Sequence, residues 1–255
     1  MDTLFFRANS WYVAACLALF MSAGWLLAVS HGKRMRARGR TSSESEFDTA
    51  SLALLGLLLA FTFSLAAAKH DERRRMVVVD ANAIGDLYTC ASLLNDPVRT
   101  QLQDVVRDYV RLRLEAASRP LDDARLAVYL KQCQQKLDRM TALVQEALAA
   151  GTSIAVPLTN SLNEVSSNQA LRVSALEDRL PGSIVLLLVA AAVVTAVLSG
   201  REEGLADRPD TGGMVAFVLM VAVTVFVTLD LNQPQRGLIR VSQAPMERLL
   251  DSMSR

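Results

Sequence analysis

The chain has 255 residues, of which 51% are hydrophobic and only 21% are charged. A soluble domain of this size rarely combines so much apolar residue with so little charge, so the composition predicts a membrane protein. The net charge is +1, from 27 Lys and Arg against 26 Asp and Glu, which argues against a nucleic-acid-binding protein with a basic face. The two His and three Cys leave almost no ligands for a zinc site.

Four long stretches of the sequence carry no charged residue. They cover residues 8–30, 49–68, 181–200 and 211–229. A helix of about 20 mostly apolar residues crosses the roughly 30 Å of bilayer hydrocarbon. The sequence therefore predicts four transmembrane helices.

Between the second and third spans, residues 69–180 have the pattern of a helical bundle. Apolar residues recur there at spacings of three and four, as in Val77, Ala81 and Ile84. This spacing keeps one face of a helix apolar, and we interpret the face as an intramolecular core, with an oligomer interface as the alternative. The second span is expected to continue into the bundle, and the tail, residues 230–255, to pack on it. The predicted fold is all-α, with four transmembrane helices and an inserted helical-bundle soluble domain.

Orientation depends on which basic residues are counted. The bundle and both termini share one side of the membrane because the number of spans is even. Lys69 and the run Arg73, Arg74, Arg75 adjoin the second span, and counting them places this side in the cytoplasm. Counting the short loops alone favours the reverse. We expect the soluble domain and both termini to be cytoplasmic.

Known catalytic motifs are missing from the sequence, which has no Gly-rich phosphate loop, CxxC, HExxH or GxSxG. We predict no catalytic, cofactor-binding or metal site, and we expect the protein not to be an enzyme. Cys133 lies on an apolar stripe and is interpreted as a small core residue. A disulfide with Cys90 would require an oxidising compartment.

A mildly polar stripe runs along the second span and ends in two cations. Its members are Ser51, Thr62, Lys69 and Arg73. A stripe of this kind is typical of an anion path, because cations at its end attract anions. The alternative is that the hydroxyl groups bond to their own helix and the lysine extends to the interface. A row of small residues on another face, Gly56, Ala60 and Ser64, would allow close helix contact.

Asp230 follows the fourth span, where the end of the helix already carries partial negative charge. A carboxylate at this position is unfavourable unless it is paired. Arg236 and Arg240 follow in the tail. We predict a structural ion pair between Asp230 and one of these arginines that holds the tail, with simple solvent exposure as the alternative.

Several runs of residues are shared with a known family. They are Ser43–Glu46, Leu58–Ser64, Asp80–Ile84, and the tail residues Asp230, Pro234 and Gly237–Met246. These runs resemble an uncharacterised bacterial membrane family described as bestrophin-like. The resemblance implies a distant relation to the bestrophins, which are pentameric anion channels with four spans and a helical cytosolic domain. It also implies that Phe61 and Phe63 correspond to the hydrophobic neck of those channels.

From these features we expect a homo-oligomeric bestrophin-like anion channel of the bacterial inner membrane, pentameric by resemblance. Its partners would be the lipid bilayer and anions, with no nucleic acid and no cofactor. The alternative is a membrane-anchored scaffold or sensor whose helical domain binds a partner. A polar path on an oligomer axis would favour the channel, and an exposed apolar groove on the bundle would favour the scaffold.

Overall fold

A computed structural model describes residues 10–40, 46–118, 123–177, 181–233 and 237–254, and across these residues the protein is helical without any strand. The eight helices described are α1 (Ser10–Ala37), α2 (Glu46–Ser92), α3 (Val98–Ser118), α4 (Asp123–Ala149), α5 (Ala155–Glu177), α6 (Gly182–Ala206), α7 (Thr211–Leu231) and α8 (Ala244–Ser252). The helices α1, α2, α6 and α7 are long and apolar enough to cross a membrane. The prediction of an all-α fold with four transmembrane helices is confirmed.

The second and third spans differ in how they join the helices next to them. α2 continues without a break from Glu46 to Ser92, as expected from the absence of a helix breaker after the second span. α6 instead begins after Pro181, which precedes the helix in an extended conformation with φ −56° and ψ 134°. α5 and α6 are therefore separate helices.

The chain divides into two compact units. The membrane unit contains the described residues of Met1–Lys69 and Arg179–Ile239. The bundle unit contains those of His70–Asp178 and Arg240–Arg255. α2 contributes residues to both units.

In the membrane unit, α1 and α6 approach each other closely through glycines. A Cβ atom on Gly204 would lie 2.4 Å from the carbonyl oxygen of Val29, and one on Gly32 would lie 2.5 Å from that of Arg201. Only a residue without a side chain allows two helix backbones this near. The indole Nε1 of Trp25 also donates to Oε2 of Glu203 at 3.2 Å, which ties α1 to the end of α6.

The core of the bundle unit is formed by the apolar stripes seen in the sequence. Val77, Ala81 and Ile84 from α2 are buried, and Cys133 from α4 is completely buried. These stripes form an intramolecular core, as interpreted from the sequence. The carbonyl oxygen of Met253, which follows α8, accepts hydrogen bonds from Tyr88 and Arg107. These bonds, with the buried Met246 and Met253 side chains, hold the tail helix in this unit.

Candidate functional site

Within the membrane unit, α2 has one face packed against other helices of the unit and a wider face that is exposed. Leu55, Thr62 and Ala66 lie on the packed face and are 1%, 5% and 0% exposed. The exposed face carries large apolar side chains, namely Leu54, Leu57, Phe61 and Leu65. Among the four spans α2 is the least covered. Only 17% of its most apolar 18-residue stretch is buried, compared with 28–44% for the other three spans.

The two hydroxyl groups of the predicted ion path are bonded to their own helix. Thr62 donates to the carbonyl oxygens of Leu58 at 2.8 Å and Leu59 at 3.1 Å. Its side chain lines a small cavity that is otherwise formed by residues of α6 and α7. Ser51 donates to the carbonyl oxygen of Asp48 at 2.9 Å. Both bonds match the alternative interpretation of these hydroxyl groups, and Thr62 faces the interior of the protomer.

The cations of the predicted path belong to different units. Lys69 is the last residue of α2 in the membrane unit and is half-buried. Arg73 lies in the bundle unit and is only 9% exposed. Thr62 and Arg73 are therefore buried within their own units, whereas Ser51 and Lys69 are half-buried.

The aromatic pair lies on the uncovered part of α2. Phe61 is 61% exposed and Phe63 is 42% exposed. Residues two apart on a helix point about 200° away from each other, so the two rings lie on opposite flanks. The small-residue row includes Gly56, where an added Cβ would have no atom within 4 Å. No helix in the described part of the chain therefore packs closely against this position.

Asp230 is buried, and both of its carboxylate oxygens accept hydrogen bonds from the tail. Oδ1 accepts from the backbone N–H of Leu238 at 3.0 Å, and Oδ2 accepts from that of Ile239 at 2.8 Å. A Cβ on Gly237 would lie 2.7 Å from the carbonyl oxygen of Asp230, so this turn needs glycine. Arg236 lies outside the described residues, and the ion pair with Arg240 stays a prediction.

Replacing Asp230 with alanine should destabilise the protein by about 1–3 kcal/mol, because two backbone N–H groups of the tail lose the buried carboxylate that accepts their hydrogen bonds. We expect a lower melting temperature in detergent, and Gly237→Ala should lower it as well. Asp251→Ala, which removes an exposed tail carboxylate, should leave it nearly unchanged. Equal melting temperatures for Asp230→Ala and Asp251→Ala would contradict the conclusion that hydrogen bonds to Asp230 fix the tail.

A buried polar cluster in the bundle unit was missed by the sequence analysis. Asp80 of α2 and Arg113 of α3 are each 1% exposed and form an ion pair through Oδ2 and Nη2. Nη1 of Arg172 from α5 lies 3.4 Å from the same oxygen. Arg113 also donates to the hydroxyl of Tyr109 at 2.8 Å, and this hydroxyl donates to Gln169 Oε1 at 2.9 Å. The cluster thus joins three helices.

This cluster carries two arginines against one carboxylate. Burial lowers the pKa of Arg172 to about 10, yet the guanidinium remains charged at neutral pH. Burial also raises the pKa of Tyr109 well above its ordinary value, so its hydroxyl stays protonated and can donate. Asp80 Oδ1 and Arg113 Nε have no hydrogen-bond partner in the described structure. A hydrogen bond between these two atoms would make the ion pair bidentate.

One sequence signal could have identified this cluster. Asp80 lies three residues after Val77 and four before Ile84, so a carboxylate interrupts an apolar stripe. Arg113 lies four residues after Tyr109 on the next helix and interrupts a second stripe in the same way. Charges on core positions are rarely buried unless they are paired.

Comparison with known proteins identifies the family. A family model described as Bestrophin-like domain matches residues 11–246. The fold resembles the crystal structure of a variant bacterial bestrophin homologue from Klebsiella pneumoniae, with a TM-score of 0.69 and 14% identity over 93% of this chain and 97% of that chain. The crystal structure of another membrane protein has a TM-score of 0.65 and 14% identity, over 94% and 98%. No curated protein matches the chain. The resemblance seen in the sequence is thus confirmed, and this multi-pass membrane protein belongs to the bestrophin-like family.

Proposed function

We propose that the protein is a homo-oligomeric anion channel of the bacterial inner membrane, pentameric by resemblance, with α2 next to the pore. The bundle unit and both termini would then be cytoplasmic. The observation that carries the proposal is the uncovered face of α2 in the membrane unit. Membership of a family of channels supports the same function.

The uncovered face of α2 has two flanks that complement each other. One flank carries the small residues Gly56 and Ala60, which leave the backbone accessible. The other flank carries the bulky side chains Leu54 and Leu65. A cyclic oligomer of three or more subunits needs two different matching surfaces on each subunit, because every contact is head to tail. Packing of the bulky flank against the small flank of the next subunit would place one α2 from each subunit around a common axis.

Phe61 is the better of the two aromatic candidates for the constriction. Its ring is further from the packed face of α2 than that of Phe63, as its larger exposed fraction shows. A ring of apolar side chains in a narrow pore excludes water and so closes it to ions. Lys69 would set the potential at the end of the span, where a cation favours anions.

Flux measurements in reconstituted liposomes test this function. Phe61→Ala should raise anion leak several-fold, because a smaller side chain lets water fill the constriction. Phe63→Ala is the matched control and should raise it less, since this ring lies on the other flank. Lys69→Glu should lower the preference for anions over cations several-fold, because it reverses the charge at the end of the span.

Each variant is compared with the wild type at equal protein and with empty liposomes. A folded, oligomeric wild type that gives no flux above empty liposomes would contradict the channel and favour the membrane-anchored scaffold. A monomer in mild detergent and in liposomes would contradict the packing of α2 between subunits. An unchanged ion preference for Lys69→Glu would remove this residue from the path.

A further inference from the structure

Two columns of exposed side chains on α1 begin as apolar residues and end in cations. Members of a column are seven residues apart, close to two helical turns. The columns are Tyr12, Leu19, Leu26, Lys33 and Phe20, Leu27, Arg34. Their apolar and aromatic members are all more than half exposed, from 53% at Tyr12 to 71% at Leu27. Both columns lie away from the buried residues of α1, which pack in the core of the membrane unit.

The length of the first column matches the thickness of a membrane. Tyr12 stacks on Trp11 with ring centroids 3.8 Å apart, and both rings are about half exposed. Aromatic residues of this kind lie at the membrane–water interface. The helical rise from Tyr12 to Lys33 is about 32 Å, against roughly 30 Å of hydrocarbon. With Tyr12 at one interface, Lys33 and Arg34 lie at the headgroups of the opposite leaflet.

Among the described residues, neither of the cations at the ends of these columns has a charged partner. In the part of the chain that the structure describes, no carboxylate lies within ion-pair distance of Lys33 or Arg34, and both side chains are exposed. Arg36 differs, because its Nη1 lies 2.5 Å from Oδ2 of Asp207 in the turn after α6. Two neighbouring positive charges are thus exposed at this end of α1 without an acidic neighbour among the described residues.

We propose that Lys33 and Arg34 bind the headgroup of an anionic phospholipid whose acyl chains lie along the two columns. The phosphate would neutralise two cations that have no acidic partner among the described residues, and the apolar side chains above them match the hydrocarbon tails. A second copy of the chain on this surface would have to supply carboxylates at the same depth. The site is separate from α2 and does not depend on ion conduction.

Helix capping could also favour basic residues here, and the test must separate the two effects. Gly39, two residues after the last residue of α1, has φ +82°, and the N–H of Arg40 donates to the carbonyl oxygen of Met35 at 3.3 Å. Cations near such an end interact favourably with the helix dipole. Arg36 lies at the same end and shares this effect, but it is turned to Asp207. Arg36→Gln is therefore the matched control.

The experiment measures which lipid the full-length protein retains. The protein is equilibrated in detergent with equal amounts of dioleoylphosphatidylglycerol and dioleoylphosphatidylcholine, and bound lipid is counted by native mass spectrometry. The wild type should prefer the anionic lipid, and the double variant Lys33→Gln, Arg34→Gln should lose this preference on the order of tenfold. Arg36→Gln should keep it. Raising the salt concentration should weaken the preference of the wild type for the anionic lipid. This measurement does not depend on whether any variant folds.

Two results would overturn the proposal. One is a double variant that retains the same ratio of the two lipids as the wild type, and the other is a wild-type preference that does not respond to salt. A double variant that keeps the lipid ratio but changes its oligomeric state would assign the surface to a second copy of the chain. Equal melting temperatures in phosphatidylcholine show that the variants compared are folded.

Discussion

Replacing Asp80 with alanine should lower the free energy of unfolding by about 3–5 kcal/mol, because it leaves a buried arginine without its carboxylate. Asp80 and Arg113 are each 1% exposed, so water cannot take the place of the missing partner. We expect the melting temperature of the full-length protein in detergent to fall by many degrees. The loss should be larger than for any exposed ion pair in the bundle unit, such as Lys136 with Asp108.

Two further variants separate the contributions to this cluster. Arg172→Met should cost less than Asp80→Ala, because this arginine is 20% exposed and lies 3.4 Å from the shared oxygen. The double variant Asp80→Leu, Arg113→Met should recover part of the loss, since a buried pair can often be replaced by apolar residues of similar volume. If Asp80→Ala melts like the wild type, the carboxylate does not hold α2, α3 and α5 together.

The four spans could be predicted from sequence because their signal is local. A stretch such as residues 8–30 is apolar and long enough to cross the bilayer, and nothing distant in the chain changes that. The stripes of the bundle could be predicted for the same reason, since residues such as Val77 and Ile84 repeat with the period of one helix. Family membership could be recognised from the short runs on α2 and in the tail.

The contacts of the candidate sites depend on distant residues, and the sequence did not reveal them. Asp80 meets Arg113 and Arg172, which are 33 and 92 positions away. Asp230 accepts from two backbone N–H groups, which every tail residue except proline offers, so no pattern of side chains could indicate these bonds. The sequence placed Thr62 on a mildly polar stripe of α2, and the structure shows that this side chain is buried. A face packed in a bundle and a face lining a pore can have the same mildly polar composition, so the sequence alone could not distinguish them.

Replacing a glycine at the contact between α1 and α6 with alanine should also cause a large loss of stability. Gly204→Ala should destabilise the membrane unit by roughly 1–3 kcal/mol or more, because the new Cβ would lie 2.4 Å from the carbonyl oxygen of Val29 and 3.1 Å from the Cα of Gly32. These are backbone atoms, so a change of rotamer cannot relieve the contact, and the helices must move apart. The melting temperature in detergent measures the loss, and Gly200→Ala should act alike, with Trp25 O at 2.6 Å.

Gly56→Ala is the matched control for this prediction, since it makes the same chemical change within another span. Its Cβ would meet no atom of the protomer within 4 Å, and alanine favours a helix over glycine by up to about 1 kcal/mol. As a monomer the variant should therefore be at least as stable as the wild type. A lower melting temperature for Gly204→Ala together with an unchanged or higher one for Gly56→Ala would show that close backbone contact, and not the loss of glycine itself, decides the outcome. Equal losses for the two variants measured as monomers, where the subunit packing proposed for Gly56 is absent, would contradict the contact between α1 and α6.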